Sequence, residues 1–357
     1  MVSVKKDINI RKGTGKVLVT GASGFIGGHV VRFFEGQGVD VSCLVRESSN
    51  ISFIEDLPVR IVRGDITDRE SLDKAFRGID LVLHTAGKVD DWGPYEDFYK
   101  ANVVGTMNVL QAAVANSIKR VIISGSIASY GEEDFRGLKD ETSPFHSHFP
   151  YFFDKWLPSG MNHYRDTKAL CTQKATEFAE QNDLNLTIIE PVWVYGENEF
   201  SSGFYEFLKA VKSGMFLFPG RRSNNYHVIY AGDLARGYYL AYANNDLKGV
   251  HRFILGNSKP ENMNSMYRTF CKAAGLRMPG LLPKFLTYPV GFIMELACHI
   301  FRTKNPPVLT RARVNMLYDS IGYDTSKAKE ILGFEALMPL DVGISKTVHW
   351  YREHHHL

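Results

Sequence analysis

The 357-residue sequence predicts an α/β fold: a doubly wound parallel sheet followed by a smaller, mainly helical C-terminal lobe. Three observations carry this. β-rich apolar runs alternate with helical patterns through the first half of the chain, a glycine cluster follows the first such run and opens a helix, and the alternation loosens past Pro191.

KVLVTG (16–21) reads as the first strand. The helix after it begins near Phe25, with Ile26, Val30, Val31 and Phe34 spaced along one face. VDVSCLV (39–45), VRIV (59–62), DLVLHTA (80–86), RVIISGS (120–126) and LTIIEPV (186–192) supply further strands, and the patterns at 69–76, 95–116 and 164–181 supply the helices between them. Later helical patterns cover 203–214, 233–243, 262–274 and 340–352, interrupted by one strand, VHRFIL (250–255). The division expected is a tail over 1–15, a dinucleotide-binding domain over 16–190 with returning segments about 226–256, and a substrate-binding lobe from 191–225 and 257–352.

The strongest local motif is TGASGFIGG (20–28). Gly21 permits the strand-to-helix turn, Gly24 lets backbone amides approach a pyrophosphate, and Gly27 allows close helix packing. A glycine cluster alone is often only a turn, but the strand before it and the amphipathic pattern after it make this a Rossmann-type nucleotide loop. No acidic residue ends the second strand to hold a ribose 2′-hydroxyl. Arg46 stands near that place, and a guanidinium suits a 2′-phosphate, so NADP(H) is favoured and NAD(H) is the second choice. Asp65, after the third strand, is positioned either for the adenine edge or as the cap of a helix at 68–77.

Composition narrows the function. At 44% hydrophobic and 23% charged residues with no low-complexity tract, the chain reads as an ordinary globular protein. A net charge of +3 with dispersed Lys and Arg argues against nucleic acid as a partner. The four cysteines are far apart, which predicts neither a metal site nor a disulfide framework. With no apolar run before Val17, cytoplasmic residence is expected. FLTYPVGFIMELACHIF (285–301) is too short and too interrupted to span a bilayer, and is expected as a buried or interfacial segment with weak membrane-surface contact as its possible outer role.

Four Tyr-x-x-x-Lys pairs occur, at Tyr151/Lys155, Tyr164/Lys168, Tyr205/Lys209 and Tyr323/Lys327. Context selects the second. Tyr151 precedes Pro158 and Gly160, which break any helix, while Tyr205 and Tyr323 follow the sixth strand and read as helix-surface or lobe residues. Tyr164, Lys168, Cys171, Ala175 and Phe178 instead share one helical face, and a lysine on an apolar face needs a partner, unless its amine snorkels out to solvent. Reducing a ketone by hydride transfer requires a proton for the developing alkoxide. A phenol at pKa ~10 needs about 3–4 kcal/mol of help to titrate near neutrality, and a neighbouring ammonium supplies help of that sign. Ser126, at the end of the fifth strand, is the candidate to hold the substrate oxygen, with Ser124 in reserve because both are expected on one side of the strand.

With TGASGFIG, GDITD, LHTAG, NVVGTMNVL, SGSIASYG, YRDTK and EPVWVYG in this order, the chain resembles an extended short-chain dehydrogenase/reductase of the NAD(P)-dependent epimerase/dehydratase superfamily. LVRESS, VDDWGP and PPVLTRARV are similar to the group of 3β-hydroxysteroid dehydrogenases, dihydroflavonol reductases and related keto-reductases. The resemblance implies that Ser126, Tyr164 and Lys168 are catalytic, that Asn102 supports them, and that Ala86, Gly87, Lys88, Pro191 and Val192 flank the nicotinamide half of the cofactor. It counts Ser23, Phe25, Ile26, Ile66 and Ser124 with the other cofactor contacts. Glu190 departs from the pattern, which has arginine there, and the tail DSIGYDTSKA lacks a diphosphate-binding arginine.

An aromatic insertion, FHSHFPYFFDKWLPSG (145–160), with Trp92, Trp193, Phe200, Phe204 and the 285–301 stretch, forms either ordinary core or an apolar pocket with a mobile lid. The function expected is therefore interconversion of a ketone and a secondary alcohol on a hydrophobic substrate: sterol-like, polyketide-like or long-chain. The alternatives are an NAD-dependent nucleotide-sugar epimerase with Arg221 and Arg222 on the diphosphate, and a non-catalytic dinucleotide-binding protein. The resemblance further implies a homodimer through the helices at 95–116 and 164–181.

Overall fold

The structure, a computed structural model, describes residues 15–131, 137–200, 203–303 and 305–357. The tail expected over 1–15 lies outside the described residues except for Gly15. Seven strands form one sheet: β1 (Lys16–Thr20), β2 (Asp40–Val45), β3 (Arg60–Arg63), β4 (Leu81–His84), β5 (Arg120–Ser124), β6 (Asn185–Pro191) and β7 (Val250–Leu255). Their order is β7-β6-β5-β4-β1-β2-β3, every pair parallel. The winding therefore reverses between β1 and β4, where Thr20 lies opposite Leu44 on one side and His84 on the other.

Apolar runs make these strands because both sheet faces are covered. On one face Val17, Val19, Leu81, Leu83 and Ile122 join a core that includes Val30, Val31 and Phe34 of helix α1 (Phe25–Gly36). On the other face Leu18, Val82, Val121, Ile123 and Ile188 meet α2 (Arg69–Ala75), the composite helix α3 (95–115) and α4 (Gly160–Gln181). Alternate residues thus enter opposite cores, each fully buried aliphatic side chain contributing about 1.5–3 kcal/mol. Within α3, the segment Tyr99–Val104 winds as a π-helix between α-helical turns.

The later chain is mainly helical: α5 (Phe204–Lys212), α6 (Ala231–Ala243), α7 (Met263–Ala273), α8 (Lys284–Ile300), α9 (Arg311–Tyr318), α10 (Ser326–Leu332) and α11 (Leu340–Glu353). α6 returns to the sheet beside α1, with Phe34 ring to ring against Tyr239 and Tyr242. Short strand pairs stitch the remainder: Trp193–Tyr195 with Val228–Tyr230, Asn225–Tyr226 with Glu261–Asn262, and Leu217–Pro219 with Gly280–Leu282.

Three expectations become more definite. The helix carrying Tyr164 begins at Gly160, just after the Pro158 turn, so the tyrosine lies a full turn inside it. Tyr323 is no surface residue: it is buried, with its hydroxyl donating to the Ile127 carbonyl. The 285–301 stretch is the helix α8, buried only on the side of Thr287, Gly291 and Glu295.

A buried ion pair fixes the lobe's geometry. Arg311, at the start of α9, donates Nε to Glu295 Oε2 at 2.8 Å and Nη2 to Oε1 at 2.9 Å, both side chains essentially without solvent contact. The same guanidinium donates to the carbonyls of Phe152 and Leu157, binding the aromatic insertion to α8 and α9. Arg311→Met would leave Glu295 buried without a partner and should cost about 3–5 kcal/mol in denaturant unfolding, whereas the double change with Glu295→Leu should recover most of it.

Candidate active site

The residues expected to contact a cofactor, except Ser124, Tyr164 and Lys168, lie at or just past the carboxyl ends of β1, β2, β3, β4 and β6, with Phe25, Ile26 and Gly27 in the first turn of α1 and Pro191 closing β6. At the reversal point the backbones after β1 and β4 nearly touch. Gly21 adopts φ +71°, and a Cβ there would lie 2.5 Å from the Ala86 nitrogen. A Cβ on Gly27 would collide with the Gly21 carbonyl oxygen, so α1 can approach the turn only without a side chain. The α1 N-terminus has Gly24 as its cap residue, no side-chain cap and no acidic residue in its first turn. Its amides, with Ser23, Phe25 and Ile26 around them, are thus suited to an anion such as a pyrophosphate.

Arg46 follows β2 with its side chain exposed, and Arg63 at the end of β3 donates Nη1 to the Arg46 carbonyl at 2.9 Å. Arg63 also faces Glu47 at 3.9 Å, so the exposed Arg46 is the cation at this corner with no acidic side chain set against it by these contacts. Asp65 is not the helix cap: its Oδ1 accepts from the Thr67 amide and hydroxyl, both at 2.8 Å, while Asp68 caps α2. Ile66 next to it accepts from Asn108 through its carbonyl, which ties this loop to α3.

Ser126 and Tyr164 come together. The Tyr164 hydroxyl donates to Ser126 Oγ at 3.1 Å, and Ser126 Oγ also accepts from the Ala128 amide at 3.2 Å, so the serine caps the short 3-10 turn Ile127–Tyr130. Lys168, one helical turn past Tyr164, is buried and donates Nζ to the Ser124 carbonyl at 2.6 Å. Burial lowers its pKa, opposed by Cys171 and by the negative charge of Glu190. The two serines do not share a partner: the Ser124 hydroxyl bonds the Tyr238 hydroxyl of α6, leaving Ser126 alone beside Tyr164.

Asn102, on the π-helical turn, fastens two elements at once. Its Oδ1 accepts from the Lys88 amide at 2.8 Å, and its Nδ2 donates to the Lys88 carbonyl at 3.1 Å and to Thr167 Oγ1 at 3.2 Å. The segment Ala86-Gly87-Lys88 is thereby pinned to α4 between Tyr164 and Lys168. Behind it His84 bridges Thr20 and Thr106, at 2.7 and 2.9 Å. Burial, with the Lys168 charge adding, brings its pKa down to about 3, so the ring is a neutral strut. Thr167 and His84 escaped the sequence reading because their partners lie far away along the chain.

Glu190 pairs locally. Its carboxylate accepts from Arg252 Nη2 at 3.0 Å and from the Tyr130 hydroxyl at 2.7 Å, under the serine turn. Pro191 and Val192 follow at the end of β6, where the Val192 amide donates to Leu255. The lone arginine in VHRFIL was the available signal, since a charge in a central strand position demands a counter-charge nearby.

The aromatic residues divide. Phe204 is fully buried and stacks 4.9 Å from Phe270, and Trp193 packs 4.2 Å from Tyr226 and 5.2 Å from Phe204, so both belong to the lobe's core rather than a pocket wall. Phe200 packs on Trp350 and Tyr351 of α11. Trp92 donates Nε1 to the Thr303 carbonyl and fixes the loop after β4 to the chain beyond α8. The group beside Tyr164 is different: Phe149, Tyr151, Met161, Ala312 and Met316. Tyr151 meanwhile accepts from Arg165 Nη1 at 2.8 Å and is a packing residue.

The insertion is anchored rather than free. His148 reaches Asp166 Oδ2 at 2.8 Å and Asp154 Oδ2 at 2.9 Å, which joins the loop to α4 between Tyr164 and Lys168. Its hydrogen bond to Asp166 is the main cause of a raised pKa, with Asp154 adding to it against partial burial.

A profile of the NAD dependent epimerase/dehydratase family matches residues 17–256. A 2-alkyl-3-oxoalkanoate reductase of Shewanella oneidensis is 26% identical over 341 residues, covering 92% of this chain and 84% of that protein. An N-acetyl-alpha-D-glucosaminyl-diphospho-ditrans,octacis-undecaprenol 4-epimerase of Escherichia coli O157:H7 is 27% identical over 340 residues, covering 94% of each. Among solved structures, gox2253 superposes with a TM-score of 0.78 at 25% identity, covering 96% of this chain and 100% of that one.

Proposed function

The chain belongs to the NAD dependent epimerase/dehydratase family, an extended short-chain dehydrogenase/reductase enzyme, and within it we propose a reductase that interconverts a ketone and a secondary alcohol on a hydrophobic substrate. The observation that carries this reading is the apolar group packed against Tyr164. A carbonyl held between Ser126 Oγ and the Tyr164 hydroxyl would lie beside the apolar group of Phe149, Met161 and Met316 that packs with Tyr164.

The residues fit a dinucleotide through the Gly21–Gly27 turn and the uncapped α1 N-terminus, with Asp65, Ile66 and the segments Ala86–Lys88 and Pro191–Val192 completing the cradle. A nicotinamide held there would supply or accept the hydride. Ser126 would orient the substrate oxygen, and Tyr164 would give its proton to that oxygen as negative charge develops on it. Lys168, held by the Ser124 carbonyl, places an ammonium where it favours the phenolate left behind. Asn102 keeps α4 and the Lys88 loop in register, a supporting role. In this reading residues 16–190 and about 226–256 form the dinucleotide-binding domain, and 191–225 with 257–352 form the substrate lobe.

NADP(H) is the cofactor we favour, because the exposed Arg46 follows β2, where a 2′-phosphate would lie, and Arg63, which also faces Glu47 at 3.9 Å, reaches its carbonyl. A homodimer through 95–116 and 164–181 is also proposed. These helices lie side by side on one sheet face, and Val104 points outward, 37% exposed. The second functional reading, a nucleotide-sugar epimerase, is favoured by the basic cleft of Arg221, Arg222 and Lys284 and by the similarity to the epimerase of Escherichia coli.

Tyr164→Phe should lower kcat for an apolar ketone about a thousandfold and leave cofactor affinity within about twofold, whereas Tyr151→Phe should lose stability but keep turnover. Wild-type turnover by Tyr164→Phe in stopped-flow hydride transfer would sink the mechanism, and turnover of a nucleotide sugar alone would favour the epimerase. Arg46→Ala should raise KM for NADPH about tenfold with little change for NADH, and equal effects on both would reject the 2′-phosphate assignment. Sedimentation should show a dimer at micromolar concentration, and a monomer there would refute the helix interface.

A further inference from the structure

We propose that the outer face of α8, together with the aromatic loop 152–156, is a docking surface for an anionic lipid bilayer. Phe285, Leu286, Val290, Ile293, Leu296 and Ile300 are between 36% and 75% exposed. They form one stripe, opposite the buried line of Thr287, Gly291 and Glu295. Beside the stripe stand Phe152, Phe153 and Trp156, at 62%, 53% and 80% exposed. The first two lie 5.3 and 6.4 Å, ring to ring, from Phe292 of α8, so loop and helix make a single apolar face. This face is built rather than loose, because Arg311, paired with Glu295, holds the loop through the carbonyls of Phe152 and Leu157.

The charge around it selects the occupant. Glu295 is the one carboxylate in α8, and it is turned inward. Exposed Lys155 and Arg302 stand in the loop and just past the helix, where the loop's carboxylate, Asp154, is bonded to His148. At the other end Arg221, Arg222 and Lys284, the last paired with Asp319, line a cleft of about 370 Å³. An apolar stripe ringed by cations is the pattern of a helix lying in a headgroup layer, each cation there contributing about 1 kcal/mol toward an anionic surface. A second copy of the chain fits worse. In a two-fold interface the same patch faces itself, and cations would meet cations. The 17 residues of α8 make a helix about 25 Å long, suited to lying along the interface, and no helix among the described residues is long and apolar enough to cross a membrane.

Docking is independent of the substrate reading, since it requires neither cofactor nor ketone. The full chain should co-sediment with vesicles of phosphatidylcholine and phosphatidylserine, more weakly with phosphatidylcholine alone and less as salt rises. Tryptophan emission should shift to the blue on binding, and Trp156→Phe should remove most of that shift. Phe285→Asp with Ile293→Asp should weaken partition about tenfold or more at an unchanged melting temperature. Trp156→Ser, on the loop rather than the helix, should weaken partition as well and tests the same face should the helix variant not fold. Absence of partition into anionic vesicles, partition indifferent to these substitutions, or a dimer that they convert to monomer without any lipid binding would each overturn the proposal.

Discussion

A buried ammonium has to be held in place, and much of the architecture around Tyr164 follows from how Lys168 is held. Its amine reaches the Ser124 carbonyl, the last residue of β5, which ties α4 to the strand end that presents Ser126. Glu190 lies close enough to oppose the effect of burial on this lysine, yet it does not form the pair itself. Its carboxylate is committed to Arg252 and Tyr130. Lys139 in turn donates to the Tyr130 carbonyl at 2.7 Å, so the serine turn is braced from beneath by charges that never reach the reacting atoms. Desolvated charges are tolerable here because each has a hydrogen-bonding partner at short range.

The sheet was legible because its signal is local and repeated. Runs such as KVLVTG and RVIISGS need only to be apolar and bounded by turn residues to be read as buried strands, and VHRFIL forms its strand over the predicted residues, 250–255. The meeting of Ser126 with Tyr164 was legible for a similar reason. One residue lies just past a strand end, the other in the first turns of a helix, and a lysine on the buried face of that helix requires a polar group within reach of its amine. Boundaries were less legible, since the start of α4 depends on how the chain turns after Pro158.

Pairings across long separations were not legible. Nothing near Glu190 in the chain announces Arg252, and nothing in the aromatic insertion announces α9, which supplies Ala312 and Met316 to the group around Tyr164. Aromatic content alone misled as well: Phe204 and Trp193 are rich in contacts, but with the lobe's own core. Burying an aromatic ring is favourable wherever the ring can be enclosed, so composition does not say which enclosure it joins. The insertion 145–160 is a further case. Its aromatics read either as ordinary core or as part of a pocket with a mobile lid, and His148 and Arg311 tether it at two places.

The π-helical turn at Tyr99–Val104 has an implication for how this part of the chain tolerates change. A regular helix has one phase along its length, so a residue aimed at one neighbour fixes the direction of all the others. The extra residue accommodated in this turn separates two phases. Asn102 faces Lys88 and Thr167, while Val109, Leu110 and Ala113 face the sheet beyond it. Removing one residue from the turn would keep a helix and most of its hydrogen bonds, yet it would rotate one half by about a quarter of a turn against the other. The chain would then have to give up either the packing against the sheet or the clamp on Lys88, which makes this short stretch far less permissive of length variation than its helical appearance implies.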